Sequence, residues 1–99
     1  MKDTVGYKLG KAFGLMEKRM EECGYKYDRV NLIQNMHYSS RRSMEKMITT
    51  FHLSGACNHE AESEIAKLFE GIGEFPRALS DEEYGYFWFG YYSNYSRVK

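Results

Sequence analysis

Proline is nearly missing from this sequence: Pro76 is the single one among 99 residues. Proline breaks helix interiors, so the long stretch before it carries no such obstacle. Cysteine is scarce too, with only Cys23 and Cys57. One possible pairing cannot build a disulfide scaffold, and the opening MKDTVGYKLG has no apolar leader segment. Two reduced thiols in a cytoplasmic protein are therefore expected. No run approaches the roughly 18 apolar residues of a membrane span. An excess of one charge sign is also lacking, since 14 Lys/Arg face 14 Asp/Glu. That excludes the strongly basic composition of a freely diffusing nucleic-acid binder. β-Branched residues are few and rarely alternate, so strand signals are weak.

What is present reads as helix throughout. The length fits one domain, residues 1–99, and the pattern predicts an all-α bundle of four to five helices. A first helix is expected from about Asp3 to Cys23, with Val5, Leu9, Ala12, Phe13, Met16 and Met20 on one stripe. Gly6, Gly10 and Gly14 form an adjacent stripe. Each interior glycine costs about 1 kcal/mol relative to alanine, so close approach by another helix is expected there. A second segment covers about Asp28 to His37, with Val30, Ile33 and Met36 or His37 inward. A third runs from about Arg41 to Leu53, capped by Ser39 or Ser40, with Met44, Met47, Ile48 and Phe51 inward. Asn58 opens a fourth, lined by Ile65, Leu68, Phe69 and Ile72. Ser80 and Glu83 make a capping box for the last helix, Asp81 to about Tyr95, and Leu79 with Tyr84 make its hydrophobic staple.

Charge is unevenly spread. Residues 1–50 hold ten Lys/Arg against six Asp/Glu, and residues 51–99 hold four against eight. Two different neighbours, or head-to-tail stacking, would use such polarity; chance gives the same pattern. Lys8, Lys11, Lys18 and Arg19 lie on the first helix, and the first three share a face. Arg41, Arg42 and Lys46 crowd the start of the third, where cations oppose the helix macrodipole. These seven are the candidate contacts to a nucleic-acid backbone, which would position a strand without reading it. Solvated surface lysines would look the same. A neutral chain binds weakly alone, but several copies in an array gain effective concentration.

Catalytic chemistry has little support. HLSGACNH packs His52, Cys57 and His59 closely, and His37 lies nearer the start, but no C-x-x-C or H-E-x-x-H is present, so no metal site is expected. Glu60, Glu62 and Glu64 read as a solvated helix start. No enzyme, cofactor, small-molecule substrate or membrane partner is expected. In EEYGYFWFGYYSNYSR, helical angles place Tyr84, Phe87, Trp88, Tyr91 and Tyr95 inward. Phe89, Tyr92 and Tyr86 are left as candidates for a protein interface. A base-stacking platform interleaves aromatics with basic groups, and here only Arg97 is near.

The segment FPRALSDEEYGYFWFGYYSNYSR resembles the end of the large subunit of the type I-C CRISPR Cascade. The residues that carry this are Phe75, Pro76, Leu79, Ser80, Glu82, Glu83, Phe87, Gly90, Tyr91 and Tyr92. YKLGKAFGLMEK, from Tyr7 to Lys18, resembles the helix that opens the same C-terminal region of that family. The chain departs in the middle, where NMHYSSRRSMEKMITTF stands in place of a stretch rich in small residues. The family's C-terminal part is also made as a separate small subunit, and a chain with its own Met1 resembles that product. The resemblance implies a non-catalytic helical bundle of the antiviral-defence complex. Its partners would be the Cascade large subunit, the backbone subunits with CRISPR RNA, another copy of itself, and target DNA, whose R-loop it would stabilise. A phage-encoded anti-CRISPR mimic of that subunit would keep the same docking face. An unrelated helical protein-interaction domain would share the composition.

Overall fold

The computed structural model describes residues 4–95; the expected helix start at Asp3, and Arg97, lie outside them. Five helices form and no strand does among the described residues: α1 Val5–Glu22, α2 Arg29–Gln34, α3 Ser40–Ser54, α4 His59–Phe69 and α5 Asp81–Ser93. The all-α bundle expected from the periodicity is the fold observed. No helix among the described residues is long and apolar enough to cross a membrane.

The apolar stripe of α1 makes it the central helix. It packs against α5, α4 and α3, while α2 packs against α3. Leu9, Ala12, Phe13, Met16 and Met20 are fully buried, with Met36, Met44, Met47, Phe51, Ala61 and Phe87 around them. Gly24 and Gly55 take positive φ, at 75° and 78°, just beyond α1 and at the end of α3. A Cβ is disfavoured in that conformation, and glycine ends helices there readily.

The glycine stripe of α1 meets the backbone of α5. A Cβ on Gly6 would collide with the carbonyl oxygen of Glu83, and one on Gly10 with that of Phe87. One on Gly14 would crowd the Asn94 side chain and the Tyr91 carbonyl. Gly90 of α5 answers from the other side, against the Tyr7 carbonyl. Contacts that advance together along both helices mean that α1 and α5 run parallel. The close approach expected for this stripe is therefore made, and α5 is the partner.

Parallel packing also puts the two helix starts side by side. Ser80 Oγ accepts from the Glu83 backbone N–H at 3.1 Å, which is half of the expected capping box. The other half is absent because Glu83 turns away. Its Oε1 accepts from the Gly6 N–H at 2.7 Å, while Thr4 Oγ1 accepts from Tyr7 N–H at 3.2 Å. Glu83 thus satisfies an orphan donor of α1 and brings negative charge to a helix start with no acidic residue in its own first turn.

A buried polar cluster joins α1, α2 and α5. Glu17 is 3% exposed. Its carboxylate accepts from Arg29 Nε at 2.7 Å, from Tyr91 Oη at 2.6 Å and from Tyr95 Oη at 2.7 Å. Arg29 Nη2 also donates to Tyr91 Oη at 2.5 Å, and its guanidinium lies 5.5 Å from that ring's centre. Burial and then the bond to Glu17 push the Tyr91 phenol up to about 12. The same two causes raise Tyr95. Burial alone would lower Arg29, but its bonds to Tyr91 and Glu17 leave it above its ordinary value.

Two expectations change. The second helix stops at Gln34, and Val30 is 54% exposed rather than inward. Arg29 must turn inward to reach Glu17, so Val30, about 100° further round the helix, faces out. Leu32 and Ile33 are buried in its place. In α5, Phe87 and Tyr91 are buried, and Tyr84 and Trp88, with Tyr95 just beyond the helix end at Ser93, pack against the core as partly buried rings.

Candidate nucleic-acid interface

The start of α3 is tied to the segment before α5. Ser39 is the N-cap but makes no side-chain capping bond. Ser40 Oγ donates to the Pro76 carbonyl at 2.6 Å. Arg41 Nε donates to the Phe75 carbonyl at 2.7 Å, and its Nη2 lies 3.6 Å from Glu74 Oε2. A cation at this helix start is thus offset locally by a carbonyl and a carboxylate. These bonds bring Arg77 beside α3. Arg41, Arg42 and Arg77, with Tyr38, Ser39 and Glu45, line an open cleft of about 360 Å³. Arg42 and Arg77 are exposed and have no hydrogen bond or ion pair among the described residues.

A second cleft of about 190 Å³ adjoins the first through shared walls. Ser39 and Arg42 line both, and Lys46 lines the second with Asn31, Leu32, Asn35 and Ser43. Arg77, Arg41, Arg42 and Lys46 therefore form a row of cations along two adjoining clefts, with Glu45 among them and Arg41 paired to Glu74. Neutralising phosphates requires closely spaced cations of this kind and no base edge.

The α1 candidates stand apart from that row. Lys18 and Arg19 line their own furrow of about 250 Å³ with Leu15 and Glu22. Lys18 Nζ donates to the Asn94 carbonyl at 3.2 Å, and Arg19 Nη2 lies 3.6 Å from Glu60 Oε1. Lys8 and Lys11 are half-buried and line none of these three clefts. The fold gathers Arg41, Arg42 and Lys46 into one feature and leaves Lys8, Lys11, Lys18 and Arg19 outside it. Sequence reasoning missed Arg77 and Tyr38. Arg77 follows Pro76 at a long chain distance from Arg41, and only the packing of that segment on α3 joins them. Tyr38 is 77% exposed, with its ring against that of His37 at 4.3 Å between centroids; an aromatic shortly before Arg41 and Arg42 in sequence was the available signal.

The three interface aromatics divide as well. Phe89 and Tyr92 are 56% and 59% exposed on α5. Tyr86 is half-buried, and its hydroxyl donates to Glu82 Oε2 at 3.1 Å. That bond raises the Tyr86 phenol above its ordinary value. His37 is a structural residue: its ring stacks on Tyr84 with centroids 4.6 Å apart, and its Nε2 lies 3.1 Å from Asp81 Oδ1.

Comparison with protein-family models, with curated proteins and with solved structures gives no match to this chain.

Proposed function

We propose that this chain is a non-catalytic small subunit of a type I-C-like Cascade, holding DNA through its phosphate backbone and stabilising the R-loop. The observation that carries the reading is the cationic row of Arg77, Arg41, Arg42 and Lys46. It supplies charge without any base-reading geometry. The reading also rests on the resemblance. Tyr7–Lys18 and Phe75–Tyr92, the two stretches that carry it, meet along the glycine stripe as one unit. The proposed partners are the large subunit, the CRISPR RNA-bound backbone subunits and further copies of the chain.

The test is assembly with a type I-C CRISPR RNA–protein complex lacking its small subunit. The chain should co-purify with that complex and tighten its binding to target DNA. Arg42→Ala with Arg77→Ala should weaken that binding, and each lost phosphate contact should reduce the logarithmic salt slope by about 1. Failure to associate would overturn the Cascade assignment. Association with an unchanged salt slope would overturn the role of the row. A chain that associates but blocks interference would be the mimic instead.

A further inference from the structure

Glu62 stands in the acidic first turns of α4, where its charge needs no partner beyond the helix start. The fold places it beside two other side chains. His52 lies in the last turn of α3, and Gly55 then ends that helix in the left-handed conformation. Cys57 sits in the connection, and Asn58 starts α4 by accepting from the Ala61 N–H at 2.8 Å. The turn folds α3 and α4 so that one nitrogen of His52, the Sγ of Cys57 and a carboxylate oxygen of Glu62 lie within 4.8 Å of one another.

We propose that His52, Cys57 and Glu62 bind a divalent cation of the zinc class, with the fourth position open. The donor set decides the class. A thiolate and an imidazole suit zinc and its neighbours, whereas magnesium and calcium take oxygen donors. Zinc bonds sulfur at about 2.3 Å and nitrogen or oxygen at about 2.0–2.2 Å. The outermost pair must therefore close by about an ångström, which side-chain rotation supplies. His52 and Glu62 are exposed and Cys57 is half-buried. Cys57 Sγ has only a long 4.0 Å contact to the Asn58 carbonyl, and no ion pair among the described residues engages Glu62. The ligands are thus free to close on an ion. Binding replaces the Cys57 thiol proton, which leaves to solvent, with a metal–sulfur bond. The ion would join the end of α3 to the start of α4. His59 is not part of the group, and the H-x4-C-x4-E spacing matches no familiar zinc motif, so the sequence alone does not disclose it.

Co(II) is the probe. The full chain, freed of metal by a chelator and kept reduced, should bind one Co(II) and develop a thiolate-to-cobalt charge-transfer band. Zn(II) should displace the cobalt and erase the band. Cys57→Ser should abolish it, and Cys23→Ser should leave it intact. His52→Ala and Glu62→Gln should each weaken Co(II) binding by about tenfold or more, since loss of a mere supporting partner already does so. All three ligands are on or near the surface, and circular dichroism of each variant checks that its helices remain. No band, a band that survives Cys57→Ser, or affinity unchanged by both His52→Ala and Glu62→Gln in folded protein would overturn the site.

Discussion

Glu17 is the one carboxylate buried among the described residues, and three donors converge on it. Removing it leaves Arg29 and two phenols without their acceptor. A buried group stripped of its partner loses far more than the pair contributes when intact. Glu17→Ala should therefore destabilise the chain by about 3 kcal/mol, read from the urea midpoint. Glu17→Gln keeps the shape and should lose less. The same cluster makes stability fall in alkali. An unfolded tyrosine ionises near pH 10, whereas Tyr91 in the fold holds its proton to about 12. Over that window the unfolded state binds fewer protons than the folded one, so stability falls as pH rises. It is fully present below pH 10. A urea series across the window should show it, and Tyr91→Phe should flatten part of the decline.

At the scale of elements, two glycines of α5's neighbourhood should respond with opposite signs. Gly10 faces the Phe87 carbonyl, a rigid obstacle, so Gly10→Ala should destabilise by about 1–3 kcal/mol despite its better helix propensity. Gly85 lies within α5 with nothing within 4 Å of an added Cβ. Gly85→Ala should stabilise by about 0.4–1 kcal/mol. Thermal melts of the two variants decide both signs, and equal shifts would contradict the packing of α1 on α5. The demand for a close partner was legible in the four-residue spacing of Gly6, Gly10 and Gly14. The identity of that partner and the parallel direction were not, because helical periodicity fixes a face but not what covers it. Ser80 and Glu83 teach a related lesson. The local motif correctly marked the start of α5, while the Glu83 carboxylate found a better donor on another helix. Likewise, Arg41, Arg42 and Lys46 were visible as a local basic group, but Arg77 joins them only through bonds to Phe75 and Pro76 carbonyls that no spacing rule encodes.

At the scale of the molecule, the charge imbalance between the two halves of the chain is partly resolved within the fold. Glu60 reaches Arg19, Glu74 reaches Arg41, and Asp81 reaches His37. Glu83 takes the start of α1. Arg42, Arg77 and Lys46 take part in none of these pairs. An assembled complex needs a second kind of contact to hold these cations in register. Phe89 and Tyr92 are suited to it, as large exposed aromatics on a helix fixed by its packing on α1. Phe89 makes the cleaner test, because the Tyr92 ring packs on Trp88 with centroids 5.7 Å apart. A surface substitution of this kind changes stability by no more than about 0.5 kcal/mol, so Phe89→Ser should leave the melt of the isolated chain unchanged. A central aromatic anchor, by contrast, carries about 2 kcal/mol or more of binding, and the variant should enter a small-subunit-depleted CRISPR RNA complex more weakly by a matching factor. The DNA contact proposed above for Arg42 and Arg77 lies on other elements, so the salt slope of DNA binding by the assembled complex should be unaffected. If Phe89→Ser assembles as well as the parent chain, docking uses another face, and the exposed ring is surface alone.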